Sequence, residues 1–113
     1  MHELAIAKGI IDIVSREAET RGFTRVLAVT LSAGEYSGVV PECLEEFFPI
    51  AAAGTPAEGA ALEFTMPESE FACLDCGYNG AVERKSACCP LCGSAALRMT
   101  RGREFYVESL KVE

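Results

Sequence analysis

The chain has 113 residues, half of them apolar, and carries 10 Lys and Arg against 17 Asp and Glu for a formal charge of -7. This is the composition of a folded protein rather than a disordered one, and with Arg98, Arg101 and Arg103 its one local basic concentration it is poorly suited to tracking a phosphate backbone, so no nucleic-acid partner is expected. Lys8 and Asp12 interrupt the apolar start, no small-residue cleavage site follows, and no run reaches the roughly 20 apolar residues of a membrane span, so neither export nor a membrane is expected.

In chain order, Leu4, Ala7, Ile11, Val14 and Ala18 recur at helical spacing over residues 3–20, with Lys8, Asp12, Arg16 and Glu19 opposite. Ile6, Ile10 and Ile13 widen the stripe, and Gly22 supplies the stop. Residues 25–32 alternate as a strand, Leu27, Val29 and Leu31 on one face and Val26, Ala28 and Thr30 on the other. Pro41 suits the first turn of a second helix with Leu44, Phe47, Phe48 and Ala51 as its apolar face. Pro49 should bend or divide that helix near Phe48, and Gly54 ends it.

Residues 55–59 are turn chemistry, and 61–66 form a second strand with Leu62, Phe64 and Met66 facing one way. Residues 104–112 form a third, in which Tyr106, Leu110 and Val112 share a face and Phe105 and Val107 the other. The expected fold class is α+β: two helices on one face of a three-stranded sheet, with an inserted zinc-ribbon-like lobe. Residues 1–67 and 100–113 form the core in this reading, and 68–99 the lobe.

Cys73-Leu74-Asp75-Cys76-Gly77 and Cys89-Pro90-Leu91-Cys92-Gly93 stand twelve residues apart, the spacing of a two-knuckle zinc ribbon. Two residues between thiolates let one tight turn aim both sulfurs at an ion, and the following Gly permits a left-handed backbone. Four soft thiolates favour structural Zn(II); rubredoxin-like iron would use the same geometry, and a dithiol redox pair lacks a thioredoxin-like setting. Without an export signal, these cysteines imply a metal site in the reducing cytoplasm rather than disulfides. Cys88 reads as a bystander or an alternate ligand during metal exchange, and Cys43 as a small core residue.

His2 is the only imidazole. The Met1 α-amine, the His2 amide nitrogen if deprotonated and the nearer ring nitrogen can close adjacent five- and six-membered chelate rings suited to tetragonal Ni(II) or Cu(II). The Glu3 carboxylate or amide, water, or a partner's ligand is left for the fourth position. The plain alternative is a solvated side chain at a helix start, with Glu3 complementing the dipole. No H-E-x-x-H zinc motif exists, because position 6 is Ile.

Met1-His2-Glu3-Leu4 opening one helix, Pro41-Glu42 opening the next, Ala57-Glu58-Gly59-Ala60 before a strand, the paired knuckles and the ending Leu110-Lys111-Val112-Glu113 together resemble the HypA family of hydrogenase nickel-incorporation proteins. The resemblance implies a metallochaperone without turnover. His2, with Met1 and Glu3, would bind Ni(II) as cargo, and Cys73, Cys76, Cys89 and Cys92 would hold the structural zinc. The implied partners are a HypB-type accessory GTPase, the precursor of the [NiFe] hydrogenase large subunit and, for some members, urease maturation proteins. Pro49 departs from what the family leads one to expect, and a single histidine excludes any nickel mode needing two imidazoles from one chain. The main rival is a zinc-ribbon protein-binding adaptor in which His2 is incidental; an iron electron carrier would be red, and an enzyme lacks a nucleophile–base pair or phosphate loop.

Overall fold

The computed structural model describes residues 2–113, so the Met1 amine of the expected chelate lies outside the described residues. Its elements are α1 (Glu3–Arg21), β1 (Val26–Ala33), α2 (Pro41–Ala52), β2 (Ala61–Thr65), β3 (Glu70–Cys73), β4 (Asn79–Gly80), β5 (Leu97–Arg101) and β6 (Phe105–Val112). They fall into two compact units. The first comprises the chain up to Ser32, Val39–Thr65 and Tyr106–Glu113; the second comprises Ala33–Gly38 and Met66–Phe105.

The first unit holds a three-stranded sheet in the order β2-β1-β6. β1 and β2 are parallel, Ala28 opposite Ala61 through Ser32 opposite Thr65, and a parallel pair needs a crossover, which α2 provides. The Gly34 N–H donates to the Glu104 carbonyl beyond one end of β1, and the Glu113 N–H to the Arg25 carbonyl beyond the other, so β6 runs antiparallel to β1.

α1 and α2 touch each other and bury the residues that helical spacing selects. These are Ala7, Ile10, Ile11, Val14 and Ala18 from α1, and Leu44, Phe48 and Ala52 from α2. The buried stripe of α1 is narrower than its apolar composition, since Ile13 remains 41% exposed. Gly22 closes α1 at φ 80°, its N–H donating to the Ala18 carbonyl at 2.8 Å, a left-handed position where glycine carries no Cβ penalty.

Pro49 does not divide α2, which continues to Ala52. The reason lies in its orientation. Pro49 and Glu45, the residue four before it whose carbonyl loses a helical donor, are both exposed, on the side of the helix where water can replace that donor. Leu44 and Ala52, on either side of Pro49, are both buried and hold the two turns on one core. β1 likewise departs from simple alternation: Val26, Ala28, Val29, Leu31, Ser32 and Ala33 are all buried while Leu27 is exposed, as befits the middle strand of a sheet rather than an edge.

The second unit contains a sheet that the sequence pattern did not announce, ordered β4-β3-β5. β3 pairs antiparallel with β4 (Phe71 opposite Gly80) and with β5 (Phe71 opposite Met99, Cys73 opposite Leu97). Ala33–Gly38 packs into the same unit. The Tyr36 N–H donates to the Gly102 carbonyl at 2.7 Å, and the Tyr36 ring meets Phe71 edge-on with centroids 6.4 Å apart. The Arg84 guanidinium lies 4.5 Å from the centroid of the same ring, a cation–π contact. Among the described residues no helix is long and apolar enough to cross a membrane.

Candidate metal centre

Each pair of cysteines sits on a turn built by the same backbone bonds. In the first, the Cys73 N–H donates to the Tyr78 carbonyl at 2.8 Å and the Gly77 N–H to the Cys73 carbonyl at 3.1 Å. In the second, the Cys89 N–H donates to the Ser94 carbonyl at 2.7 Å and the Gly93 N–H to the Cys89 carbonyl at 2.8 Å. Gly77 and Gly93 have φ of 81° and 79°, the left-handed backbone that the spacing anticipates.

The turns bring all four sulfurs within 4.8 Å of one another, with Cys73–Cys92 and Cys76–Cys89 at 3.6 Å. Sulfurs placed tetrahedrally about 2.3 Å from a zinc ion stand about 3.8 Å apart, whereas a disulfide needs about 2.05 Å. The cluster therefore has the dimensions of a closed four-thiolate site, and all six cysteines are free thiols. Such a site leaves no coordination position for a substrate.

The four thiols are not equivalent. Cys73 and Cys89, the first of each pair, are buried; Cys76 and Cys92 are exposed. The backbone N–H groups of Cys76 and Asp75 point at the Cys73 sulfur and, against the cost of burial, hold its pKa below the usual thiol value. Burial pushes Cys89 up, but the N–H groups of Cys92 and Leu91, each 3.4 Å from its sulfur, together with neighbouring thiols, bring it down to about 7. The Tyr78 N–H favours the Cys76 thiolate, yet partial loss of water around the sulfur and the neighbouring Cys89 and Cys73 sulfurs outweigh it and raise that pKa. At Cys92 the Ser94 N–H is outweighed in the same way, and the thiol is pushed up to about 12. Negative charge is thus favoured on the first sulfur of each knuckle, and an incoming cation would favour deprotonation of the other two.

Asp75 and Ser94 also belong to the site, although the spacing argument passes over them. The Ser94 hydroxyl donates to the Asp75 carboxylate and accepts the Ala96 N–H at 3.0 Å. The repeated knuckle could have directed attention to them, since Asp75 precedes Cys76 and Ser94 follows Gly93.

Cys88 and Cys43 are half-buried and stand outside the cluster. His2 forms the N-cap of α1 with φ -95° and ψ 1°, and its carbonyl accepts the Ile6 N–H at 2.9 Å. Its side chain is exposed and makes no capping hydrogen bond; Glu3 is the acidic residue of the first turn. Among the described residues, the four cysteines are the only group of three or more His, Cys, Asp or Glu donors gathered closely enough for one ion, so His2 and Glu3 are not joined by a third.

A two-helix α+β unit and a four-cysteine cluster of these dimensions define the class: a small protein with a candidate metal-binding centre. The family model described as "Hydrogenase/urease nickel incorporation, metallochaperone, hypA" matches residues 1–112. The chain is 39% identical over 114 residues to the hydrogenase maturation factor HypA of Caldanaerobacter subterraneus, with 100% of both chains covered. It is 38% identical over 113 residues to HypA 1 of Bradyrhizobium diazoefficiens, again with 100% of both covered. The solution structure of the Ni metallochaperone HypA from Helicobacter pylori shares the fold at a TM-score of 0.69 and 21% identity, covering 99% of this chain and 97% of that one. Another HypA solution structure aligns with a TM-score of 0.75 at 21% identity, covering 100% and 97%. The protein belongs to the HypA family, whose members are metallochaperones and not enzymes.

Proposed function

We propose that this protein carries Ni(II) at its amino terminus and delivers it to the precursor of the [NiFe] hydrogenase large subunit, with zinc fixed in the Cys73, Cys76, Cys89 and Cys92 site. The observation that carries the nickel assignment is the exposed His2 side chain at the start of α1, the sole imidazole of the chain and not used in capping. The Met1 amine and the His2 nitrogens supply the chelate, Glu3 stands next in line for the open position, and that opening lets an acceptor's ligand displace the protein stepwise. Zinc, when bound, supplies structural closure and charge neutralisation for four thiolates, with no position for chemistry.

A HypB-type GTPase and, in urease-containing cells, urease maturation proteins are the accessory partners of this reading, and the cytoplasm is its site of action. Membership of a hydrogenase and urease nickel-incorporation family supports the accessory partners. Nickel titration calorimetry on tag-free, zinc-loaded protein tests the assignment. His2→Ala and a variant extended before Met1 are each expected to lose nickel while keeping zinc. Undiminished nickel binding in both would place the site elsewhere.

The adaptor reading draws on Leu74 and Leu91, 66% and 73% exposed on the two knuckles, because exposed apolar side chains suit a docking surface. An adaptor binds zinc alone and is indifferent to His2→Ala, so the same titration separates the two.

A further inference from the structure

Four sulfurs from two separate turns keep their 3.6 Å spacings only if those turns are held in register. The β3–β5 ladder begins this work. Cys73 pairs with Leu97, and one residue on, the Leu74 N–H donates to the Ala96 carbonyl at 2.9 Å. The next link is made by side chains, the Ser94 hydroxyl donating to the Asp75 carboxylate.

Both residues also touch metal-site cysteines through their backbones. The Asp75 N–H points at the Cys73 sulfur, and the Ser94 carbonyl accepts the Cys89 N–H at 2.7 Å. The Ala96 N–H, at 3.0 Å, fixes the Ser94 oxygen from behind. A hydrogen bond to an ionised carboxylate is stronger than one between neutral groups, and this one ties the first knuckle directly to the second. Cys76 and Cys92 are the exposed pair among the four, and exposed sulfurs are the ones a competing ligand would reach first.

We infer that Asp75 and Ser94 are positioning residues of the cysteine site: their side-chain link locks the two knuckles together and slows release of the metal. The inference rests on the four cysteines holding zinc. It assigns the link a kinetic role that the ligands alone do not provide, because a knuckle that swings away presents two thiolates to solvent at once.

The test is the rate of zinc transfer from the loaded protein to a chromophoric chelator, with Co(II) substitution reporting the ligand set. Asp75→Ala and Ser94→Ala are each expected to accelerate release roughly tenfold, the lower end of effects seen for residues supporting metal ligands. Four-thiolate cobalt bands should persist in both. The double variant should release no faster than Ser94→Ala alone, as for two ends of one interaction. Ser94→Thr, which retains the donor, should stay near the parent rate, and Asp75→Asn, which keeps an acceptor without the charge, should fall between the parent and Asp75→Ala. Release from Asp75→Ala at the parent rate, or independent multiplying effects in the double variant, overturns the inference alone. Absence of four-thiolate cobalt bands in the parent protein overturns the zinc assignment and the inference with it.

Discussion

At Gly34 a side chain has nowhere to go. A Cβ there would stand 2.3 Å from the Gly102 carbonyl oxygen and 2.7 Å from a Glu104 carboxylate oxygen, so Gly34→Ala must displace backbone. It is expected to destabilise the metal-loaded protein by about 2 kcal/mol, within the range for overpacked sites, as read by chemical denaturation. The cysteines make a prediction with a definite sign. Cys89 has its pKa lowered to about 7 in the fold, so the stability it contributes is present above the unfolded thiol value and is lost as pH falls through about 7. Cys92, pushed up to about 12, is still protonated at neutral pH and must surrender its proton to an incoming ion. Proton release on zinc binding should therefore fall as pH rises through about 7, measurable by calorimetry in buffers of different ionisation enthalpy. A release that does not change with pH would contradict the inequality of the thiols. The sulfur set itself was readable from spacing, because two Cys-x-x-Cys turns followed by Gly have few other uses; the unequal charge was not, since it depends on which backbone N–H groups point at which sulfur.

α2 tests packing against local propensity. Phe48 is 2% exposed and Leu44 0%, so Phe48→Ala should cost about 3–5 kcal/mol. Pro49, on the exposed face, contributes little packing, and Pro49→Ala should stabilise by about 1 kcal/mol or more by restoring a helical donor and removing a ring clash. Urea denaturation of the two variants should move the midpoint in opposite directions; a destabilised Pro49→Ala would show that the proline is needed where it stands. The same contrast explains what sequence could convey. α1, β1, β2 and β6 have enough repeats of one period to stand out. β3 has four residues and β4 two, too few for alternation to register, and their pairing with β5 is a property of distant segments. The undivided α2 shows another limit of local reading: a proline does not divide a helix when buried residues on both sides share one core.

For the molecule as a whole, the two units differ in what sustains them. The first has the helices, β1 and most of the buried aliphatic residues, while Cys73 and Cys89 are the buried cysteines of the second. Removing metal with a chelator at neutral pH should abolish hydrogen-exchange protection in β3 and β5 and leave α1 and β1 protected, since a small unit with four ligands draws about 10 kcal/mol or more of folding free energy from its ion. Equal loss in both units would mean that the first also depends on the metal. Nothing in the pattern of residues 33–38 reveals that this stretch packs with the cysteine-bearing unit, because Tyr36 finds Phe71 and Arg84 only in three dimensions.

The order of strands across the first sheet has a consequence for birth on the ribosome. β1 is the middle strand, with β2 on one side and β6 on the other, and translation delivers these neighbours at very different times. β2 follows after a single crossover, whereas β6 comes only after residues 66–104. Synthesis therefore supplies β1 with its parallel neighbour first and its antiparallel neighbour last, and both cysteine turns are made in the interval between the two.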